Sequence, residues 1–326
     1  MAGDERTKQA RENLVKMMLA DMEREGMNWS RSWCAGEPFN PVTGTHYSGR
    51  NALLLTYYMR EEHMTDPRFM TFRQAKDKGC KIAKGCHSFA IEKWRELFFD
   101  ASDKSRKVKQ PRNEEERRAL LDDPNIESRW VVVGHHSVFN ARDIEGIEPY
   151  ETARGLEGAE LLDFLEENSP CPVREQMQDA AFYMPQVDRI AIPARAQFEN
   201  LQSACRVLLH EQTHATGHPS RLDRDQSGDY GSAEYAFEEL VAELGSLFTA
   251  NALGVTLPEI ATDGELAKSD YWSRHVAYIK SWARSCEGEG AEEIIFRAAS
   301  KAGKAADYLL SECFTAERRE RAAKAA

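Results

Sequence analysis

The sequence contains no apolar run that approaches the roughly 18 consecutive residues needed to span a membrane. Its N-terminal segment, MAGDERTKQARENL, carries six charged residues in fourteen and lacks the apolar stretch of a secretory signal. Hydrophobic residues make up 41% and charged residues 30% of the 326, which is typical of globular proteins and too apolar for a disordered one. These features exclude membrane and fibrous proteins, and they predict a globular protein of the cytoplasm.

Paired cysteines are absent as well. The chain has seven cysteines, an odd number, and no two of them form a C-x-x-C motif. This spacing argues against a secreted disulfide scaffold and against a cysteine-based zinc site. We therefore expect free thiols in a reducing compartment.

The chain also lacks an excess of positive charge. Its 43 Lys and Arg against 54 Asp and Glu give a net charge of −11, which argues against nucleic-acid binding over the whole surface. Residues 1–150 nevertheless carry 25 basic and 24 acidic side chains, so the acidic excess lies in the second half. Only the first half is therefore expected to face a polyanion.

Length and hydrophobic pattern predict two domains, 1–148 and 149–326, with an α+β fold. The first domain is expected to be mixed α/β, and the second to be rich in helix with a small sheet. In the first domain we predict helices at 4–25, 51–58 and 72–78, strands near 82, 89–94 and 130–140, and an exposed hairpin tip or disordered insertion at 104–118. In the second we predict helices at 156–167, 198–216, 232–251, 269–285 and 291–313 and a strand at 189–192.

The sharpest motif is VLLHEQTHATGH, which contains H-E-x-x-H as His210, Glu211 and His214. On a helix, residues four apart share one face, so both imidazoles can reach one metal ion. Glu211 lies about 100° away from His210, where it can contact a metal-bound water instead of the metal. Such a water has a pKa near neutrality, and a neighbouring carboxylate can take its proton. The motif predicts a catalytic zinc site with Glu211 as general base.

A catalytic zinc needs a third protein ligand, and the next helix offers one. In AEYAFEELVAELGSLFTA, Glu239 and Glu243 share a face with small residues, which indicates a face pressed against another helix. We assign Glu239 as the third ligand and Glu243 as the partner of a histidine's outer nitrogen, with the exchanged roles left open. Glu238 is expected at the rim of the site.

Other sources of a ligand or an acid group fit less well. Gly217 matches the metzincin pattern, but Ser220 stands where that pattern has a histidine, and His218 is expected in the loop after the helix. A late row of aromatic and imidazole side chains is expected in the core. Its His275 or a tyrosine could instead stabilise an oxyanion, with Tyr230 and Tyr235 as rivals. That row comprises Trp272, His275, Tyr278 and Trp282.

Aromatic and basic residues alternate between positions 29 and 95. Single-stranded nucleic acid binds where bases stack on aromatic rings and cations follow the phosphates. Many of these rings would also serve as core, so the pattern alone leaves both interpretations open. The DNA-binding candidates are Tyr47, Arg50, Asn51, Tyr57, Arg73, Lys76, Lys81 and Lys84.

With these residues in view, the chain resembles the ArdC family of plasmid antirestriction proteins. The first half is similar to the ArdC N-terminal domain through NPVTGTHYSGRNALLL, DPRFMTFRQAKDKGCKIAKG and VFNARDIEG. The second half is similar to the accompanying zincin-like domain through DRIAIP, LLHEQTHATGHPSRLDR, YAFEELVAELGS and IFRAASKAGKAADYLL. The resemblance implies single-stranded DNA binding by the first half, a gluzincin-like metal site in the second, and protection of incoming plasmid DNA from restriction.

Three functions remain open on the sequence. The leading interpretation is a DNA-associated zinc peptidase with a protein or peptide substrate. The second is a protein that coats single-stranded DNA and carries a structural or vestigial metal. The third is a metal-dependent nuclease, which the single-metal H-E-x-x-H geometry disfavours. Two histidines and a glutamate favour zinc, with manganese and cobalt as alternatives.

Overall fold

The computed structural model describes residues 2–33, 36–151, 156–198, 200–229, 232–255 and 290–325. Helix α1 (Ala2–Glu25) runs into a 3₁₀ helix (Gly26–Trp33). The first half continues with α2 (Gly49–Glu61), β1 (Phe69–Thr71), α3 (Phe72–Asp77), β2 (Lys81–Ile82), β3 (Phe89–Asp100), α4 (Glu114–Leu121), β4 (Ile126–Asn140) and β5 (Ile144–Glu145). Among the helices of these ranges, none combines the length and apolarity needed to cross a membrane.

The sheet of the first half is built around one long hairpin. β3 and β4 pair antiparallel from Phe89 opposite Val138 to Asp100 opposite Ile126, and β1 pairs only with the end of β4. A second small sheet joins β2 and β5. The polar segment 104–118 lies in the β3–β4 connection and enters α4, whose residues are all at least partly exposed. Of the two expectations for this segment, the exposed hairpin tip is correct.

The second half places a small sheet beside a group of helices. Its helices are α5 (Gly158–Glu167), α6 (Leu201–Ala215), α7 (Ala233–Leu253), α8 (Ala291–Tyr308) and α9 (Ala316–Ala325), with a π-helical turn (Leu309–Cys313) after α8. The strands β6 (Val173–Gln176), β7 (Phe182–Met184) and β8 (Arg189–Pro193) have the order β6-β8-β7, parallel on one side of β8 and antiparallel on the other. The predicted helix at 269–285 lies outside the described residues.

Side-chain caps set where the two central helices begin. The Asn200 side chain accepts a hydrogen bond from the Ser203 N–H at the start of α6, and Ser232 does the same for Tyr235 at the start of α7. These caps satisfy amide groups that have no partner inside the helix. Gly254, at φ +67°, ends α7 in the left-handed conformation that glycine adopts without strain.

One large hydrophobic cluster contains residues of both halves. Trp29 and Trp33 are fully buried in the same cluster as Leu208 on α6 and Phe296 on α8. The aromatic residues of the first half that were considered for stacking on DNA therefore include two that are core. Two smaller clusters, around Phe69 and around Met70, belong to the first half alone. The first half therefore buries part of its apolar surface against the second half and part within itself.

Two glycines allow a close backbone contact between the halves. A Cβ on Gly303 of α8 would lie 2.6 Å from the backbone nitrogen of Gly49 and 2.7 Å from its Cα. On either side of this contact, Ser48 donates to Asp307 at 3.0 Å and Arg50 donates to Ser300 at 2.9 Å. The start of α2 is thus joined to α8 by sterics and by hydrogen bonds.

Candidate metal centre

The H-E-x-x-H motif lies on α6, and its two histidines face the same point. His210 and His214 are one helical turn apart, and their Nε2 atoms are 3.1 Å from each other. Their rings lie edge to face, with centroids 4.8 Å apart. Ligand nitrogens at about 2.0–2.1 Å from one tetrahedral ion are separated by about 3.3 Å, so this spacing suits a shared ion.

Helix α7 brings a carboxylate to the same point. Glu239 Oε2 lies 3.4 Å from His210 Nε2, and Glu239 Oε1 lies 3.5 Å from His214 Nε2. One ligand atom from each of these three residues falls within 4.8 Å of the others, and the described part of the chain contains no other such group of three. The donor set of two imidazoles and one carboxylate is that of gluzincin-type sites, so the residues fit a divalent ion such as zinc.

Two further carboxylates of α7 hold the outer nitrogens of the imidazoles. Glu243 Oε1 lies 3.3 Å from His210 Nδ1, and Glu238 Oε1 lies 3.4 Å from His214 Nδ1. The expectation of Glu238 at the rim is wrong, because this residue is only 6% exposed and is engaged with His214. The rim was expected because neighbouring residues of a helix point about 100° apart, but Arg224 and Gln226 of the loop after α6 cover that side of α7.

These carboxylates set the protonation of the imidazoles. Burial is the largest single influence on His210 and lowers its pKa, but Glu239 and Glu243 together outweigh it and raise the pKa well above 6.5. For His214, burial again acts downward, and Glu239 and Glu238 raise the pKa to about 9. A metal ion must displace these protons, so metal affinity should fall as the pH is lowered.

A glycine brings the two helices close enough for this arrangement. A Cβ on Gly245 would collide with Cγ2 of Thr213, the residue before His214, and would lie 3.2 Å from its Oγ1. Thr213 is fully buried, and its hydroxyl donates to the carbonyl of Leu209 at 2.8 Å. The absence of a side chain at position 245 therefore lets the carboxylates of α7 approach the histidines of α6.

The remaining motif residues lie beside the triad. Glu211 is buried on α6 next to His210. His218 lies in the turn after α6, as expected, and its Nδ1 contacts the hydroxyl of Ser220 at 2.7 Å. Of the rival tyrosines, Tyr230 lies outside the described residues, as does the late aromatic row. Tyr235 is half-buried in the first turn of α7.

The DNA-binding candidates divide into two groups, of which the first makes internal contacts. Asn51 exchanges two hydrogen bonds of 2.9 Å with the backbone of Glu92, and Tyr57 is buried. Arg50 is half-buried, with its guanidinium 4.8 Å from the Trp94 ring in addition to its bond to Ser300. Tyr47 donates to the carbonyl of Phe69 at 3.3 Å. Arg50, Asn51 and Tyr47 therefore join elements of the fold. Tyr57 belongs to the hydrophobic core.

The second group is open to solvent. Arg73 and Lys76 lie on α3, Lys81 lies on β2, and Lys84 follows β2; all four side chains are exposed, and α3 contacts β2. We call these four residues the α3–β2 patch. Phe72, at the start of α3, is 59% exposed, so its ring is accessible beside Arg73. The patch thus presents four exposed cations, and Phe72 adds an exposed aromatic ring next to it.

Known families match both halves of the chain. The N-terminal domain of the anti-restriction factor ArdC matches residues 8–122, and the zincin-like metallopeptidase family matches residues 160–301. A crystal structure of the ArdC protein of plasmid R388, bound to Mn(II), covers 92% of this chain and 96% of its own, with a TM-score of 0.61 and 27% identity. The chain belongs to the ArdC family. The two matched segments lie on either side of the boundary predicted at 148.

This ArdC-family chain is also similar to one further solved structure and to two curated proteins. It is similar to the metal-free structure of the same R388 protein, with a TM-score of 0.60 and 25% identity over 94% of the chain. It is 31% identical over 312 residues to a DNA primase TraC of Escherichia coli, but spans only 27% of that protein's length. It is 28% identical to the uncharacterized protein y4eC of Sinorhizobium fredii, over 95% of this chain and 94% of the relative.

Proposed function

We propose that this chain is an antirestriction protein of a mobile element, acting in the cytoplasm of the recipient cell as a zinc peptidase that binds single-stranded DNA. The observation that carries the peptidase assignment is the convergence of His210, His214 and Glu239 on one point beside Glu211. Family membership supports the antirestriction role.

In this proposal, each residue of the centre has a defined task. His210, His214 and Glu239 hold the ion, and Glu243 orients the His210 ring through Nδ1. A bound ion would supply Lewis acidity toward a scissile carbonyl and toward a water molecule. Glu211 is the residue that would accept a proton from the water and later return it to the leaving amine. Burial of Glu211 restricts its contact with bulk water, as proton transfer within a closed site requires.

The peptidase proposal is tested by separating metal binding from catalysis. Metal content is measured after removal of chelator for the wild type, Glu239→Ala and Glu211→Gln. We expect one equivalent of zinc in the wild type and in Glu211→Gln, and less in Glu239→Ala. Proteolysis of casein or of co-purifying proteins should then disappear in Glu211→Gln. The exposed Glu234, at the start of α7, provides Glu234→Gln as a matched control.

Loading with different ions tests the choice of metal. The R388 relative was crystallised with Mn(II), whereas the His₂Glu donor set favours zinc. Competition between Zn²⁺, Mn²⁺ and Co²⁺ for the wild-type chain should place zinc first. Tighter binding of manganese than of zinc would reject the zinc assignment while leaving the site itself intact.

The α3–β2 patch supports the proposal of single-stranded DNA binding. Its cations can follow phosphates, and Phe72 offers a face for a base, which contributes about 1–3 kcal/mol per stacked base in such complexes. Because neutralised phosphates release counterions, affinity should fall steeply with salt. Lys76→Glu with Lys81→Glu, and separately Phe72→Ala, should weaken binding of a fluorescent oligothymidylate. The exposed Lys304 of α8 supplies the control, Lys304→Glu.

A DNA-coating protein without catalysis is the competing function. The R388 relative has nearly the same similarity to this chain in its metal-bound and metal-free structures, so the fold does not require the ion. The transfer efficiency of an unmodified plasmid into a restricting host distinguishes the two functions. Full protection by Glu211→Gln, together with loss of protection in the patch variant, would favour the coating function.

A further inference from the structure

Arg224, in the loop after α6, contacts a carboxylate beside the metal centre. Arg224 is almost completely buried, and its guanidinium contacts both carboxylate oxygens of Glu238, at 2.7 and 3.1 Å. Its other nitrogen, Nη1, donates to the Thr216 hydroxyl at 2.6 Å, and Nη2 also donates to the Thr213 carbonyl at 2.7 Å. One side chain thus joins the end of α6 to the second turn of α7.

A second loop residue completes the same contact. The side-chain nitrogen Nε2 of Gln226 donates to the His214 carbonyl at 2.8 Å and to Glu238 Oε1 at 3.0 Å. Gly217 gives both side chains room, since a Cβ there would lie 2.7 Å from Gln226 and 3.0 Å from Arg224. The Glu238 carboxylate is therefore held from two directions, and one of its oxygens lies against His214 Nδ1.

Arg224 balances part of the negative charge buried around the two histidines. α7 directs Glu238, Glu239 and Glu243 at two histidines, and all three carboxylates are buried. A buried carboxylate needs a charged or hydrogen-bonded partner. Arg224 supplies that partner to Glu238 with the planar fork that fits a carboxylate, and it fixes the orientation of the group at the same time.

We propose that Arg224 is a positioning residue for the metal centre, which acts through Glu238 to hold the His214 ring in its metal-binding orientation. This inference rests on the proposed metal site. Partners that orient a metal-ligating histidine typically contribute about 10–100-fold to metal affinity. Replacement of Arg224 should therefore lower zinc affinity, although the guanidinium touches neither the ion nor a ligand side chain.

Arg221 provides a matched control in the same loop. It too is a buried arginine that donates to a carbonyl at the end of α6, Ala215, at 2.7 Å, and it too pairs with a carboxylate. Its carboxylate partner, however, is Asp188 before β8, away from the histidines. Arg221→Met removes a comparable ion pair and helix-end contact without touching Glu238.

The experiment measures Zn²⁺ affinity of the full chain by competition with a chromophoric chelator, and the melting temperature in excess EDTA. We expect Arg224→Met to weaken Zn²⁺ binding about 10–100-fold, and Arg221→Met to leave it unchanged while lowering the melting temperature. Glu238→Gln should weaken binding as well. The double variant combines Arg224→Met with Glu238→Gln. If Arg224 acts through Glu238, its Zn²⁺ affinity will be no lower than that of the single variant with the lower affinity.

The outcomes separate the inference from the proposed function. Failure of the folded wild type to bind Zn²⁺ would reject both. Zn²⁺ binding by the wild type with equal affinity in Arg224→Met would reject the inference alone. Additive losses in the double variant, or an equal loss in Arg221→Met, would show that Arg224 has a general structural role and would also reject it.

Discussion

Replacement of Gly245 by alanine should damage the metal centre through packing alone. The new Cβ would lie against Cγ2 of Thr213, well inside the distance at which Cβ atoms make real contacts. Thr213 is fully buried and bonded to Leu209, so its side chain has no free space in which to turn away. α6 and α7 must therefore move apart.

The size of the effect follows from this collision. Ordinary contact between carbon atoms requires about 3.5–4.0 Å, so the two helices must separate by roughly an ångström. Overpacking of this kind costs about 1–3 kcal/mol in the free energy of unfolding. The same movement draws Glu239 away from the two imidazoles, and sites of this type tolerate displacements of only about 0.5 Å. Zinc affinity should consequently fall by about tenfold or more.

A second substitution makes the prediction sharp. In Thr213→Ser the colliding methyl group is gone, and the remaining oxygen, at 3.2 Å from the alanine Cβ, is a tight contact that a much smaller movement relieves. Gly245→Ala with Thr213→Ser should therefore regain most of the zinc affinity lost in Gly245→Ala. Thermal unfolding in EDTA and zinc competition measure the two effects. Wild-type affinity in Gly245→Ala, or no recovery in the double variant, would refute the reasoning.

Three further predictions concern the rest of the fold. Gly303→Ala should destabilise the whole chain by about 1–3 kcal/mol, because the methyl group meets the Gly49 backbone; melting of both halves should shift together. Asn51→Ala should cost about 1–3 kcal/mol by leaving backbone groups of β3 unpaired, and oligothymidylate affinity of the folded protein should stay unchanged. Burial and the neighbouring Glu175 raise the pKa of Glu166 to about 7 against the opposing effect of Arg195. A raised carboxyl pKa stabilises the fold at low pH, and this contribution should be lost as the pH rises from about 4.5 to 7. In Glu166→Gln the melting temperature should therefore depend less on pH over that range.

The elements with strong local signals were predictable from the sequence. α1, α6 and α7 each have helical periodicity, and Asn200 and Ser232 mark where the latter two begin. The proximity of His210 and His214 follows from helix geometry, and the small residues around Glu239 indicated a helix face in close contact. The structure places all three side chains together, whereas their binding of a metal remains a prediction.

What could not be predicted depends on contacts distant in sequence. From the sequence, Arg50 and Asn51 were expected to be available for DNA. In the structure, Arg50 donates to Ser300 on α8, and Asn51 donates to the backbone of Glu92 on β3. Glu238 was placed at the rim because nothing in α7 itself shows that Arg224 returns to it. The strands β6 and β7 have only four and three residues, too few for a periodic pattern. Their pairing with β8 decides their conformation.

The hydrophobic cluster that both halves share bears on how such a chain can be inherited. The TraC primase described above and a second Escherichia coli TraC primase, 29% identical, each align with 92% of this chain, yet the chain amounts to only 27% and 20% of their lengths. A recombination event between the two matched segments would strip Trp29 and Trp33 of their neighbours on α6 and α8, leaving apolar surface on both products. In the curated relatives the alignment extends over both segments, since it covers 92–95% of this chain. A gene fusion can extend this block at its ends far more readily than it can split it.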